Sequence, residues 1–538
     1  MSARPTRRTL LGILGVGTAG AATSYAFRED LFPDDSRRVK VANTPVEPAE
    51  TVEPVVDRAA RHTTLAEENR LPGSRDWMPY GVDRKISGDR AGTIMGYAST
   101  TSAGHGDIVN FHVSVADAQR YRVSVFRIGH YGGTGARLMA TSRWLKGARR
   151  KVPAADRATG AIECDWPVSW SLRIPTGWMS GLYQAVFTNE DGVRGSTPFV
   201  VREPQRASDL LCVIPFATYQ AYNMWPKDKH TGKNLYRGYQ ANGKIGGADK
   251  RAFKVSFDRP YSGSGVPNWF NMDTGFARWA ESSGRDVTYA SSLDLHDGTV
   301  DPSKYRAVFF PGHDEYWSQS MYDAARKAVD AGGNLAFLGA NNVYFHVRME
   351  PSGAGRKDRV MACYKSAPDP AASGTGRTTR FRELSADRRY AEQGLLGIQF
   401  NGIVDINHPA PLVVKEAGHW LWTGTGLRDG EKLPAMVGIE ADAHDPKSPS
   451  PAGARLTRLG VSPYKDNRPG VTWPTISEIG LTEYPNGALV FVAGTFHWPL
   501  VLVDDDDYAN KTIKGARTRT VIRRATANLA DRMTRKRV

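Results

Sequence analysis

Three cysteines in 538 residues are too few for a disulfide scaffold and leave room for one bridge at most. No Cys/His pattern of the zinc-binding kind occurs. There is no Walker loop, and no Gly-x-Gly-x-x-Gly follows the first strand of an α/β unit. These absences argue against structural zinc, nucleoside triphosphates and dinucleotides. A Gly-x-Ser-x-Gly elbow is also missing, so a serine nucleophile on a strand-to-helix turn is not expected. Cys212 falls inside a strand pattern, and neither Cys164 nor Cys363 has an evident histidine partner, so no cysteine reads as a nucleophile. Beyond the first 27 residues no run reaches 18 apolar residues, which leaves nothing further along the chain to span a membrane as a helix.

A surplus of basic residues is present, a net +15, but it is badly distributed for binding nucleic acid. Arg4, Arg7 and Arg8 carry three charges at the start. Residues 511–538 carry ten Lys/Arg against Asp531 alone, so the body between holds only three of the fifteen. No nucleic-acid partner is expected. At the start, Thr6-Arg7-Arg8-Thr9-Leu10-Leu11 opens a weakly hydrophobic, uncharged stretch that ends at Arg28. It resembles a twin-arginine signal, or else an N-terminal anchor, over residues 1–30. The expectation is an extracytoplasmic protein, secreted or anchored, that touches the membrane only through this segment. Residues 31–85 are polar and Pro/Glu/Arg-rich and read as a linker.

With 40% hydrophobic residues and 13 Trp, the rest can build large cores. From 86 to 203, short β-type runs such as Asp107–Val115, Tyr121–Ile128 and Leu182–Phe187 are punctuated by Gly, Asp and Pro, which predicts a β-sandwich. From 204 to 538 the pattern becomes α/β. Leu210–Pro215, Asp286–Tyr289, Tyr305–Phe310, Asn334–Gly339 and Ala488–Ala493 read as buried strands of a parallel sheet. Ser318 is placed to cap a helix that stops at Gly332-Gly333, and Ile522, Ala525, Leu529 and Met533 lie on one face of a C-terminal helix. Residues 345–485 lack periodicity and read as a long irregular insertion.

Ligands of such a sheet bind beyond the carboxyl ends of its strands. There the sequence supplies Tyr222, then Tyr289 and His296, then Gly312-His313-Asp314-Glu315-Tyr316-Trp317-Ser318, then Asn341, then His497. The segment 312–318 stands out, with four polar side chains ahead of a helix. Oxygen ligands and histidines are the available tools, and Tyr and Glu oxygens suit a hard ion such as Fe(III).

Several segments together resemble the beta (large) subunit family of N,N-dimethylformamidase. They are 312–318, Gly339-Ala340-Asn341-Asn342-Val343-Tyr344, Leu395-Leu396-Gly397-Ile398-Gln399-Phe400, Leu433–Glu440 and Gly487–Thr495. The resemblance runs from about 85 to 533. It implies a flavodoxin/glutamine-amidotransferase-like α/β domain behind the β-sandwich, a small partner subunit, and hydrolysis of an amide C–N bond. It also implies one iron held by two tyrosines and a glutamate. Carried onto this sequence, those ligands are Tyr316, Tyr289 and Glu392. The family has a His two residues before its ligand Glu, where Tyr390 stands before Glu392. Among the chemical roles, His313 or Glu440 suits a proton carrier and Asn341 an oxyanion donor. Two other readings fit: a non-catalytic envelope protein that binds a polysaccharide or peptide in an aromatic-lined cleft, and a metal-independent hydrolase using His313 and Glu315. Partners are a small amide or an envelope ligand, with room for a homo-oligomer. Dimethylformamide itself is not the expected natural substrate.

Overall fold

Apolar runs with no polar alternation need cover on both faces, and they form the centre of one large sheet. The computed structural model describes residues 64–535 except 79–83, 207, 372–375, 473, 505–510 and 514. The segment read as an export signal lies outside the described residues. In the sheet, β1 (Leu210–Ile214), β2 (Val287–Ser291), β3 (Ala307–Phe310), β4 (Asn334–Phe337), β5 (Arg455–Tyr464), β6 (Thr475–Glu483) and β7 (Leu489–Val492) take the order β2-β1-β3-β4-β7-β6-β5. The first five in that order are parallel; β6 and β5 extend the sheet antiparallel. The chain leaves β1 to build β2 on one side and then β3 on the other. That reversal is a topological switch point, and ligands of such sheets bind beyond the carboxyl ends of the strands there, here β1 and β3.

Four helices matter here: α1 (Phe216–Tyr222), α2 (Phe270–Ser282), α3 (Gln319–Asp330) and α4 (Ala516–Thr534). The Ser318 hydroxyl accepts from the Met321 N–H at the start of α3, and Gly332 (φ 88°) follows its end, as the sequence predicts. Ile522, Ala525, Leu529 and Met533 of α4 are all fully buried. No helix among the described residues is long and apolar enough to cross a membrane.

Residues 94–201 form two further sheets. One contains Ile94–Ala98, Ile108–Val115 and Trp170–Arg173; the other is built on Gly181–Asn189, Arg120–Ile128 and Arg194–Val201. They share a core in which Phe111 of the first sheet meets Phe187 and Phe199 of the second edge-on, at 6.2 and 5.9 Å between ring centres. All three cysteines are free and buried.

The structure differs from expectation in two places. Residues 345–485 are not irregular: they supply β5 and β6 and the strands Gln399–Val404, Lys432–Val437 and Ile439–Ala443. Register shifts at Phe400/Gly402, Ala410/Leu412 and Arg458/Gly460 reverse the in/out phase mid-strand, which erases the period of two. Residues 64–78 are not free linker. Thr64 and Glu67 close a capping box, Leu65 and Trp77 are buried, and Glu68 pairs with Arg137 at 2.8 Å.

Candidate active site

The ends of β1, β3 and β4 each deliver one part of a cluster. Beyond β1, α1 carries Tyr222 at its last residue. The Tyr222 carbonyl accepts from the Asn234 side chain (2.9 Å), and Asn234 Oδ1 accepts from the Tyr236 N–H (2.9 Å), which fixes Tyr236 beside Tyr222. Beyond β3 the chain turns at Gly312, where a Cβ would lie 2.6 Å from the Asp273 carboxylate. The N–H groups of Glu315 and Tyr316 then donate to Thr218 Oγ1 of α1, at 3.0 and 3.2 Å, which aims Glu315 back over that helix instead of into the cap of α3. Beyond β4, Asn341 sits in the left-handed region (φ 55°) and its N–H donates to Asp442 (2.8 Å). Glu440 arrives from Ile439–Ala443.

These pieces converge. The Tyr222 and Tyr236 hydroxyls donate to Glu315 at 2.7 and 2.6 Å and lie 3.0 Å from each other. His313 Nδ1 donates to the Ala340 carbonyl (3.2 Å). Its Nε2 lies 3.1 Å from Glu315, 3.2 Å from the Tyr222 hydroxyl and 3.8 Å from Glu440. Lys365 places its ammonium 3.4 Å from the centre of the Tyr236 ring and 4.2 Å from that of Phe345. The side chains of His313 and Glu315 are 1% exposed and that of Glu440 12%, while Tyr222, Tyr236 and Lys365 are half-buried. Among the described residues Glu440 Oε2, Asn341 Oδ1 and the Tyr316 hydroxyl are buried without a well-formed hydrogen bond, an arrangement that invites a ligand.

Electrostatics separates the two carboxylates. Burial opposes charge on Glu315, but His313, Lys365 and the Tyr236 hydrogen bond outweigh it and hold the group below the usual carboxylate range. Burial, and then the Glu315 charge, push Glu440 well above that range. One carboxyl is therefore set to be ionised and its neighbour protonated, the division of labour that acid–base chemistry needs. Burial also pushes Lys365 down to about 8. Tyr222 and Tyr236 are pushed up, first by burial and then by Glu315.

The expected catalytic residues His313, Glu315, Asn341 and Glu440 are thus brought together. The expected ligands Tyr316, Tyr289 and Glu392 do not meet one another: Tyr316 stands in this cluster, and Tyr289 and Glu392 lie outside it. The Tyr316 ring packs among Tyr222, Tyr236 and Phe345. Tyr289 lies in the middle of β2, not at its end, and donates to Glu281 (3.0 Å). Glu392 is fully buried in an ion pair with Arg382 (2.8 Å). Tyr236 and Lys365 escaped the sequence reading because both sit on loops without periodicity. A usable signal was there for the carboxylate: His313 stands two residues before Glu315.

A family model described as N,N-dimethylformamidase beta subunit-like, C-terminal, matches residues 122–510. The chain belongs to this family. The matched span takes in every residue of the cluster, from Tyr222 to Glu440, so the dimethylformamidase-like region and the site coincide. No curated protein matches the chain. Among solved structures, the sulfur carrier protein SoxY from Chlorobium limicola f thiosulfatophilum is 16% identical over 22% of this chain and 86% of its own, with a TM-score of 0.13. A Paenibacillus sp. cycloisomaltooligosaccharide glucanotransferase complexed with cycloisomaltoheptaose is 10% identical over 52% of this chain and 34% of its own, with a TM-score of 0.15. Superpositions at that level carry no argument about this fold or its ligands.

Asp314, behind the cluster, offers a test of the electrostatics. Both its oxygens lack a well-formed hydrogen bond, and burial pushes it up to about 7. The folded state then holds a proton that the unfolded chain gives up near pH 4. Stability from this group is intact below that pH and is lost as pH rises toward 7. Asp314→Asn is expected to gain on the order of 1–3 kcal/mol relative to the parent at pH 8 and nothing at pH 4. Urea unfolding at the two pH values checks this; an equal effect at both contradicts it.

Proposed function

We propose that the chain is a metal-assisted amidohydrolase acting on a small amide or formamide-type C–N bond. We further propose that its 204–538 region is glutamine-amidotransferase-like and that it works after export. One observation carries the reading: two tyrosine hydroxyls converge on Glu315, with His313 two residues before it. This is the two-tyrosine, one-glutamate, His-x-Glu set that the family resemblance implies, met by residues other than those first carried over. The donor set fits a hard trivalent ion. Three oxygens lie within hydrogen-bond distance of one another, and both phenols could exchange a proton for the metal. Among the described residues no group of three or more His, Cys, Asp or Glu is placed to hold a metal, so a metal held here would need the tyrosine oxygens.

Tyr222, Tyr236 and Glu315 would hold Fe(III), which supplies a Lewis acid to polarise the amide carbonyl. The other roles fall to the side chains around it. With Glu315 committed to the metal, His313 in its neutral form, Nδ1 still donating to Ala340, would take the proton from the attacking water at Nε2 as the water oxygen bonds to the carbonyl carbon. The Asn341 amide, adjacent to Glu440, donates to the developing oxyanion. Glu440, protonated in its buried setting, gives its proton to the amine nitrogen as the C–N bond breaks, leaving a carboxylic acid and an amine. Activity then declines as pH rises through the raised pKa of Glu440. Glu440→Gln is expected to lower kcat by ~10²–10⁴ with KM little changed, and to remove that alkaline limb. The assay is release of amine and carboxylate from a panel of formamides and other small amides. Full activity in Glu440→Gln would remove Glu440 from the mechanism, and no hydrolysis across the panel would argue against the reading as a whole. A second reading rests on the buried His313–Glu315 contact, which can activate water unaided. Undiminished turnover by iron-free protein would favour it.

A further inference from the structure

Glu440 is delivered by a turn that its own sequence does not favour. Ala435 (φ 56°) and Ile439 (φ 68°) both occupy the left-handed region, and for a β-branched residue that is a marked outlier. Each such residue costs on the order of 1–3 kcal/mol and persists only where its surroundings enforce it. Here the enforcing element is Gly494–His497, just beyond β7. His497 is fully buried, and its Nδ1 donates to the Ala435 carbonyl at 2.8 Å. Its ring presses on Gly438 so closely that a Cβ there would lie 2.1 Å from the imidazole Cε1. Thr495 Oγ1 accepts from the Gly438 N–H (3.1 Å) and donates to the Met436 carbonyl (3.0 Å). Ala441 bridges to Thr495, and the Asp442 N–H donates to the Gly494 carbonyl (3.2 Å). Both strained residues are thus bracketed by contacts to one four-residue segment.

We infer that His497 is a positioning residue: wedged against Gly438 and bonded to Ala435, it holds the strained 435–440 turn that aims Glu440 at His313. It does so without touching the reacting atoms. The role assigned to Glu440 rests on the proposed hydrolase reading; the clamp itself does not.

The test compares His497→Leu, which removes the donor, with His497→Asn, whose amide nitrogen can take the place of Nδ1. Amide hydrogen exchange at Gly438 and Glu440 is expected to be at least ~10-fold faster in the leucine variant and near the parent rate in the asparagine variant. On any amide the parent hydrolyses, kcat is expected to fall ~30-fold or more in His497→Leu with KM within about twofold, and to recover in His497→Asn. Iron content is expected to be equal in all three. Should His497→Leu fail to fold, Gly438→Ala attacks the same contact from the other side, with the same readouts. Unchanged exchange in His497→Leu, or equal exchange in the two histidine variants, overturns the inference. A parent protein that hydrolyses no amide would count against the hydrolase reading alone, and exchange would still decide the clamp.

Discussion

Glu315→Gln is expected to release the iron and lower hydrolysis on the order of 10³-fold or more, with the fold intact. The amide keeps an oxygen to accept from Tyr222 and Tyr236 and fills the same buried volume, so the cluster loses its charge and not its shape. The charge is what matters, because Glu315 is the one member of the cluster that its surroundings hold ionised. Two controls separate this ligand set from one built on Tyr289 and Glu392. Glu392→Gln and Tyr289→Phe are expected to keep the parent iron content, since Glu392 is committed to Arg382 and Tyr289 to Glu281. Iron lost from Glu392→Gln and retained in Glu315→Gln would reverse the assignment. The assay is metal per chain on purified, folded variants, alongside turnover.

The largest effect on stability is expected at Arg127. Its guanidinium contacts Glu281 at 2.8 and 3.0 Å, the Tyr131 hydroxyl at 3.0 Å and the Ser180 carbonyl at 2.9 Å, and both charged side chains are fully buried. Arg127 belongs to Arg120–Ile128, and Glu281 lies near the end of α2. The pair ties the sheets of residues 94–201 to the helices around the central sheet. Asn69 joins it by donating to Glu281 (2.8 Å), so residues 64–78 close over the same junction. Arg127→Met strands a buried carboxylate and is expected to cost ~3–5 kcal/mol in urea unfolding. Replacing both partners by apolar residues, Arg127→Met with Glu281→Leu, is expected to recover most of that loss. A double variant as unstable as the single one would show that the pair stabilises the junction outright.

The parallel part of the central sheet was legible in the sequence because strands buried on both faces write themselves as mostly apolar runs. The α3 cap was legible because Ser318 and Gly332-Gly333 act locally. Gln399–Val404 and β5 were not, since a bulge in each reverses the in/out phase that a strand reading depends on. The site divides along the same line. His313, Glu315 and Asn341 follow strands directly, so the rule of strand ends finds them. Tyr236 reaches Glu315 across 79 residues of chain, from a loop whose geometry depends on Asn234. Nothing in its own neighbourhood marks it. Glu392 misled for the opposite reason: a family-like Leu-Leu-Gly follows it, yet its burial is explained by Arg382, only ten residues away.

The most direct measurement is elemental analysis of the purified full-length protein, together with its visible spectrum. The account predicts close to one iron per chain and a tyrosinate-to-iron absorption band, both lost in Tyr236→Phe and both retained in Tyr289→Phe. Parent protein that is folded but iron-free, or a band that survives Tyr236→Phe unchanged, would contradict it.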